Sequence, residues 1–226
     1  MAQLKLWEED RKSWEPIDHN EDFWRTRKVK TTYSLPLLPK KNSKNDPLKV
    51  NYISPKKSGF NGWIGMTISP GKKHDGFHAS WDRDLDLDLE RLRDFYFTDT
   101  IVTLIEDFEF SMLNTPDLRE KIVECGIDSI HYPIVDMNAP SDPMTFCDLI
   151  DDLLLRLEQG ENIVIHCRGG LGRTGLLAAC LLCANNFSVK DAIALVRARR
   201  QGAIQTKKQE DFIQLFADAW EATHVW

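Results

Sequence analysis

Apolar positions along the chain recur at two spacings, and from about residue 62 the two alternate. Short β-branched or apolar runs at GWIGMTISP (62–70), TIVTLI (100–105), IDSIHYPIVD (127–136) and 162–166 predict strands. Between and after them, apolar residues three and four apart predict helices over 117–126, 142–160, 173–186, 188–200 and 206–220. Gly126 and Gly160 are placed to close two of these, and Ser188 to cap another. The stretch DLDLDLERLRDFYF (84–97) alternates like a strand, yet Leu85, Leu89 and Leu92 share one helical face. Its clustered aspartates suit the positive end of a helix dipole, so a helix from about Leu85 is expected, in preference to a set of metal ligands. Strands alternating with helices predict an α/β fold, with a central, mostly parallel sheet of four or five strands flanked by helices.

Residues 1–58 follow neither spacing. SLPLLPKKNSKNDPLKVNYISPKKSGFNG (34–62) is rich in Pro, Lys, Asn, Ser and Gly and reads as loop, with one short strand near Val50–Ile53. Trp7, Trp14 and Trp24 are scattered among charges ahead of it. The chain is therefore expected to divide into a basic, partly irregular extension, 1–58, and a regular domain, 59–226. Charge sharpens that division. Between Arg25 and Lys57 ten Lys and Arg face one acid, Asp46, so the net −6 of the chain splits into +9 there and −15 elsewhere. Such a block either docks an acidic partner or lies solvated on an acidic body. The acidic whole and the lack of an aromatic-interleaved basic motif exclude nucleic acid as the expected partner. No apolar run is long enough to span a membrane, and the N-terminus has no apolar core of a secretory signal. Five cysteines at irregular spacing do not form an extracellular disulfide pattern, so a cytoplasmic protein is expected.

The chemistry concentrates in IVIHCRGGLGRTGLLAA (163–179). Its Gly170, Gly172 and Gly175 match the G-x-G-x-x-G of a dinucleotide site, but the acid about 20 residues on, Asp191, opens a helix instead of ending a strand. Too little chain follows for a cofactor half-domain, so no cofactor is expected. The other reading fits. Cys167 and Arg173 stand five residues apart with Gly169, Gly170 and Gly172 between them, on a strand–loop–helix turn that aims successive N–H groups inward as an anion nest. A thiol at such a helix start ionises readily, and its thiolate is a strong nucleophile. Arg173 can grip two phosphate oxygens at once. Arg168, Gly169, Gly170, Leu171 and Gly172 complete the phosphate-binding loop, mostly through backbone N–H groups, while Thr174 offers its hydroxyl to the sulfur.

HCRGGLGRTG matches H-C-x5-R-[ST]-G and resembles the signature of cysteine-dependent protein tyrosine and dual-specificity phosphatases. With IGMTISPGKK, CGIDSIHYPIVD and GAIQTKKQEDFI, the chain from about Gly62 to Trp220 is similar to the cyclin-dependent kinase inhibitor 3 group, the first 60 residues lying outside the likeness. The resemblance implies attack by Cys167 on phosphorus and a phosphocysteine intermediate hydrolysed by water. It implies Asp136 as the general acid, 31 residues before Cys167, with Asp142 as the competitor. It makes His166 an organiser of the loop, and Gln205, then Gln209, the candidate for placing the hydrolytic water. The missing Trp-Pro before Asp136 and the short domain favour a shallow pocket for phosphotyrosine and also phosphoserine or phosphothreonine. A phosphorylated protein, with a kinase among the candidates, is the partner so implied. A phosphoinositide phosphatase and a non-catalytic phosphate-binding adaptor are the rivals. Cys180 and Cys183 form a C-x-x-C without further metal ligands and are expected to be buried thiols, so no metal is expected. Cys125 or Cys147 is the candidate for an oxidative disulfide with Cys167.

Overall fold

The computed structural model describes residues 40–75 and 79–223, so Trp7, Trp14, Trp24 and the basic residues Arg25–Lys30 lie outside the described residues. Eight strands and eight helices are described. In chain order these are β1 (Lys40–Lys41), β2 (Asn51–Ile53), α1 (Pro55–Ser58), β3 (Ile64–Ile68), β4 (Lys73–Asp75), β5 (Ser80–Asp82), α2 (Leu85–Asp94) and β6 (Thr100–Thr103). Then follow α3 (Asp107–Met112), α4 (Leu118–Glu124), β7 (Asp128–His131), α5 (Pro143–Glu158), β8 (Ile163–Cys167), α6 (Gly172–Ala184), α7 (Val189–Arg199) and α8 (Lys207–Thr223).

Five strands form the main sheet in the order β2-β3-β8-β6-β7, all neighbours parallel except the edge pair β2–β3. The α/β reading with a mostly parallel sheet is thus what the chain adopts. β8 sits at the centre and is buried at every position, as a strand covered on both faces must be. The following helix, α6, is buried from Gly172 to Cys183 and packs against α5, α7 and α8 and against β3 and β8. An all-round apolar helix of this kind belongs in the middle of a core.

Local signals fix the other helices where the sequence placed them. Asp84 caps α2 by accepting from the Leu87 N–H, Asp142 caps α5 through the Met144 N–H, and Ser188 caps α7 through the Asp191 N–H. The acids of 84–88 are spent locally. Asp86 pairs with Lys121, and Asp88 is buried with Arg83, which grips both of its oxygens at 2.7 Å. No cluster fit to hold a metal occurs among the described residues.

Two features differ from the sequence expectations. The strand expected near Val50–Ile53 is present, but it joins the main sheet, and Leu48 and Ile53 lie in the core. Residues assigned to the extension therefore contribute to the packed unit. Second, a small sheet in the order β1-β5-β4 was not foreseen. Of the basic block, Lys40 pairs with Asp82, and Lys41 and Lys49 with Asp46, so these charges are neutralised on the chain's own acids. No helix among the described residues is long and apolar enough to cross a membrane.

Candidate active site

The parallel strands all run the same way, so the loops after β3, β6, β7 and β8 meet at one end of the sheet. Ligands of such sheets bind outside the carboxyl ends of the strands. In register, Cys167 faces Ile68, and His166 faces Thr67 on one side and Thr103 on the other. The central strand therefore delivers Cys167, 3% exposed, to the floor of that end.

From Cys167 the chain turns through Arg168–Leu171 into α6. Gly170 has φ +64, and a Cβ there would lie 1.9 Å from the Thr67 carbonyl oxygen, so only glycine fits. The turn sends its carbonyls outward, where each finds a donor. Lys72 Nζ donates to Arg168 O at 3.3 Å, Arg200 Nη2 to Gly169 O at 3.0 Å and Arg200 Nε to Gly170 O, while Leu171 O accepts from the Gly175 and Ile204 N–H groups. The N–H groups of Gly169, Gly170 and Leu171 have no intramolecular acceptor among the described residues. Backbone donors left free at a helix N-terminus form an anion nest.

Arg173, on the first turn of α6, is buried to 1%. Its Nη1 donates to Glu109 Oε2 at 2.5 Å and to the Ile134 carbonyl at 3.0 Å, and its Nη2 to Glu109 Oε1 at 3.0 Å. Asp136 Oδ1 lies 3.0 Å from the same Nη2. Burial alone would lower the Arg173 pKa, but the Glu109 hydrogen bond and the charges of Cys167, Glu109 and Asp136 outweigh it and raise it. Its Nε, like Thr174 Oγ1, is buried and has no hydrogen-bond partner among the described residues. The expected bond from Thr174 to the sulfur is thus not made: the hydroxyl is fully buried in the first turn of α6 with its donor unspent. Buried polar groups are rarely left so in a finished core.

Asp136 stands on the loop after β7, half-exposed, with its Oδ1 also accepting from the Met137 N–H at 3.0 Å and its Oδ2 4.0 Å from Arg168. Asp142 instead caps α5. Across the mouth, Gln209 is buried and fully engaged: Oε1 accepts from the Gln205 N–H at 2.8 Å, and Nε2 donates to Asn138 O at 3.1 Å. Thr206 Oγ1 donates to Met137 O, so the 205–209 turn is sewn to the Asp136 loop. Gln205 is exposed, its side chain makes no hydrogen bond among the described residues, and its Oε1 packs beside Gly172.

His166 is fully buried, with Nε2 2.9 Å from Thr103 Oγ1 and Nδ1 3.4 Å from the Cys167 carbonyl. Burial pushes its pKa down to about 4, so it is neutral and bridges the strands. Lys72, also buried, is pushed down to about 8, chiefly by burial and next by Arg168, while Cys167 pulls it back up. All five cysteines are free thiols. Burial raises the pKa of Cys180 well above the thiol range and pushes Cys183 up to about 11, as inert core thiols require.

Three residues of this constellation were absent from the sequence reading. Glu109 carries one legible signal, the Glu106–Glu109 capping box that starts α3. Lys72 and Arg200 carry none, since their contacts span 96 and 31 or so positions of chain.

Comparison with known proteins agrees. A solved kinase associated phosphatase, carrying serine in place of its catalytic-site cysteine, matches with a TM-score of 0.72 and 30% identity, covering 80% of this chain and 100% of that one. PTPMT1 shares the fold at a TM-score of 0.58 and 16% identity, over 72% of this chain and 94% of that one. The Bos taurus protein tyrosine phosphatase domain-containing protein 1 is 38% identical over 93 residues, 41% of this chain and 11% of that protein. The chain thus has the fold of the protein tyrosine and dual-specificity phosphatase superfamily. The model of the family Cyclin-dependent kinase inhibitor 3 (CDKN3) matches residues 39–195. The Homo sapiens Cyclin-dependent kinase inhibitor 3 is 32% identical over 175 residues, 76% of this chain and 80% of that protein. The chain belongs to that family, and the likeness begins at residue 39, ahead of the Gly62 read from the motifs.

Proposed function

We propose that the protein hydrolyses phosphotyrosine, and phosphoserine or phosphothreonine as well, in protein substrates through a phosphocysteine on Cys167. One observation carries this reading: Cys167 lies at the floor of a loop whose free N–H groups and buried Arg173 converge, with Asp136 in reach of the same guanidinium.

The nest of 168–173 and Arg173 bind the phosphate dianion. Asp136 then gives up Arg173 Nη2 to a phosphate oxygen, takes up a proton from solvent and turns to the leaving oxygen. The Cys167 thiolate attacks phosphorus, the P–O bond breaks, and Asp136 donates its proton to the departing oxygen. Such an acid is typically worth about 10²–10⁴ in rate. In the second step Asp136 takes a proton from water placed by Gln205, the water oxygen attacks phosphorus, and the S–P bond breaks. The electron pair returns to sulfur, and the thiolate and free phosphate are released for the next cycle.

One relative is named for a cyclin-dependent kinase and another as kinase associated, so a phosphorylated kinase is the first substrate to test. An acidic partner would be docked by those basic residues of the 25–57 stretch not paired with Asp82 or Asp46, and five free thiols suit the reducing cytoplasm. Turnover of p-nitrophenyl phosphate, phosphotyrosyl and phosphothreonyl peptides and phosphoinositide vesicles tests the proposal. Peptide turnover that Cys167→Ser abolishes supports it. Turnover of vesicles alone would make this a lipid phosphatase, and tungstate binding without turnover of any substrate an adaptor.

A further inference from the structure

Turning N–H groups inward obliges the loop to turn its carbonyls outward, and something must hold them there. Three consecutive carbonyls, those of Arg168, Gly169 and Gly170, are held by only two side chains, Lys72 and Arg200. Both are cations and both come from other elements. Lys72 follows the Pro70–Gly71 turn after β3, and its ammonium lies 4.5 Å over the Trp81 ring. Arg200 directly follows α7 as its C-cap, and its third donor, Nη1, reaches Asn51 Oδ1 at 2.6 Å on the edge strand.

Their surroundings are unusual for cations held this close to the core, Lys72 buried and Arg200 half-buried. Lys72 is 6% exposed, and neither side chain pairs with a carboxylate among the described residues. A buried charge without a counter-ion is costly and is kept where another anion balances it. The charge that acts favourably on both is that of Cys167, which raises the pKa of each against the lowering by burial. The scaffold invests further in this arrangement. Asp88 accepts from the Gly71 N–H at 2.9 Å while locked to the buried Arg83, which fixes the backbone next to Lys72. Arg83 itself donates to the Asp46 carbonyl, and Asn51 neighbours that same segment.

We propose that Lys72 and Arg200 form a two-cation clamp on the outer face of the phosphate loop. They hold three carbonyls outward so that the N–H groups stay aimed inward, and they supply the positive charge that balances thiolate and substrate dianion together. They are positioning residues, acting through the loop without touching the substrate. This rests on the phosphatase reading, which it deepens by naming what presets the nest.

The test is tungstate affinity by calorimetry, beside kcat and KM on p-nitrophenyl phosphate, for wild type, Lys72→Met, Arg200→Met and Arg200→Lys. Losing charge-assisted hydrogen bonds to the loop predicts a drop in tungstate affinity and in kcat/KM of about tenfold or more for each Met variant. Arg200→Lys keeps the charge and one grip and should recover a substantial part of that loss, which a merely structural filler would not. Should Arg200→Met fail to fold, Arg200→Ala with added guanidinium ion replaces it, and restored tungstate binding is then expected. Folded Met variants with tungstate affinity and kcat/KM within twofold of wild type overturn the clamp, as do Lys and guanidinium arms without recovery. Wild type that binds no tungstate would instead sink the phosphatase reading itself.

Discussion

Glu109→Gln removes one charge from the most buried ion pair of the site. Both Glu109 oxygens hold Arg173, at 2.5 and 3.0 Å, with each side chain 1% exposed, and Oε2 also accepts from the Glu106 N–H at 2.9 Å. A glutamine keeps one acceptor and turns an NH₂ group toward guanidinium donors. Breaking one side of a buried pair costs roughly 3–5 kcal/mol, because the other charge is left unmatched. Arg173 retains the Ile134 carbonyl at 3.0 Å and Asp136 at 3.0 Å, which moves the expectation to the lower end, about 3 kcal/mol. A fork that is no longer held flat also meets phosphate poorly, and kcat/KM should fall about 100-fold, the equivalent of roughly 2.7 kcal/mol. Urea unfolding at neutral pH and p-nitrophenyl phosphate kinetics measure the two effects separately. A Glu109→Gln variant that loses less than about 0.5 kcal/mol, the range of ordinary surface substitutions, and keeps its activity would refute the role assigned to this pair.

Other outcomes follow from the same geometry. Asp136→Ala should cut kcat about 10²–10⁴-fold yet bind tungstate more tightly than wild type, because the carboxylate no longer competes for Arg173. Asp142→Ala should cost only about 1 kcal/mol as a lost helix cap, and the reverse pattern would move the acid to Asp142. His166, depressed to about 4 from 6.5, is neutral in the folded state but takes a proton in the unfolded chain across that window. Stability is therefore complete above about pH 6.5 and falls as pH drops toward 4, by roughly 1.4 kcal/mol per pH unit once the unfolded histidine is charged. Urea unfolding at a series of acidic pH values should show a shallower fall for His166→Gln, and equal slopes would remove His166 from that role.

Much of this was legible in the chain because it is local. The spacing of Leu85, Leu89 and Leu92, the cap Ser188 and the run IVIHC each involve residues within a few positions of one another. The order HCRGGLGRTG carries the loop and its nucleophile in a single stretch for the same reason. What escaped has the opposite character. The strands of the small sheet are two or three residues long and mostly polar, too short for alternation to show. α3 spans only Asp107–Met112, under two turns. Arg173 meets Glu109 across 64 positions and Lys72 meets Arg168 across 96, contacts that exist only once β3, β6 and β8 lie side by side. Nothing in the local pattern distinguished Asp88, buried against Arg83, from its solvated neighbour Asp86.

The account turns on sulfur as the atom that takes the phosphoryl group. Acid quenching of Asp136→Ala during turnover of an activated aryl phosphate, then peptide mass spectrometry, measures that directly. One phosphoryl group on the peptide containing Cys167, absent from the Cys167→Ser protein, is the predicted result. Phosphoryl on another residue, or undiminished hydrolysis by Cys167→Ser, would contradict it.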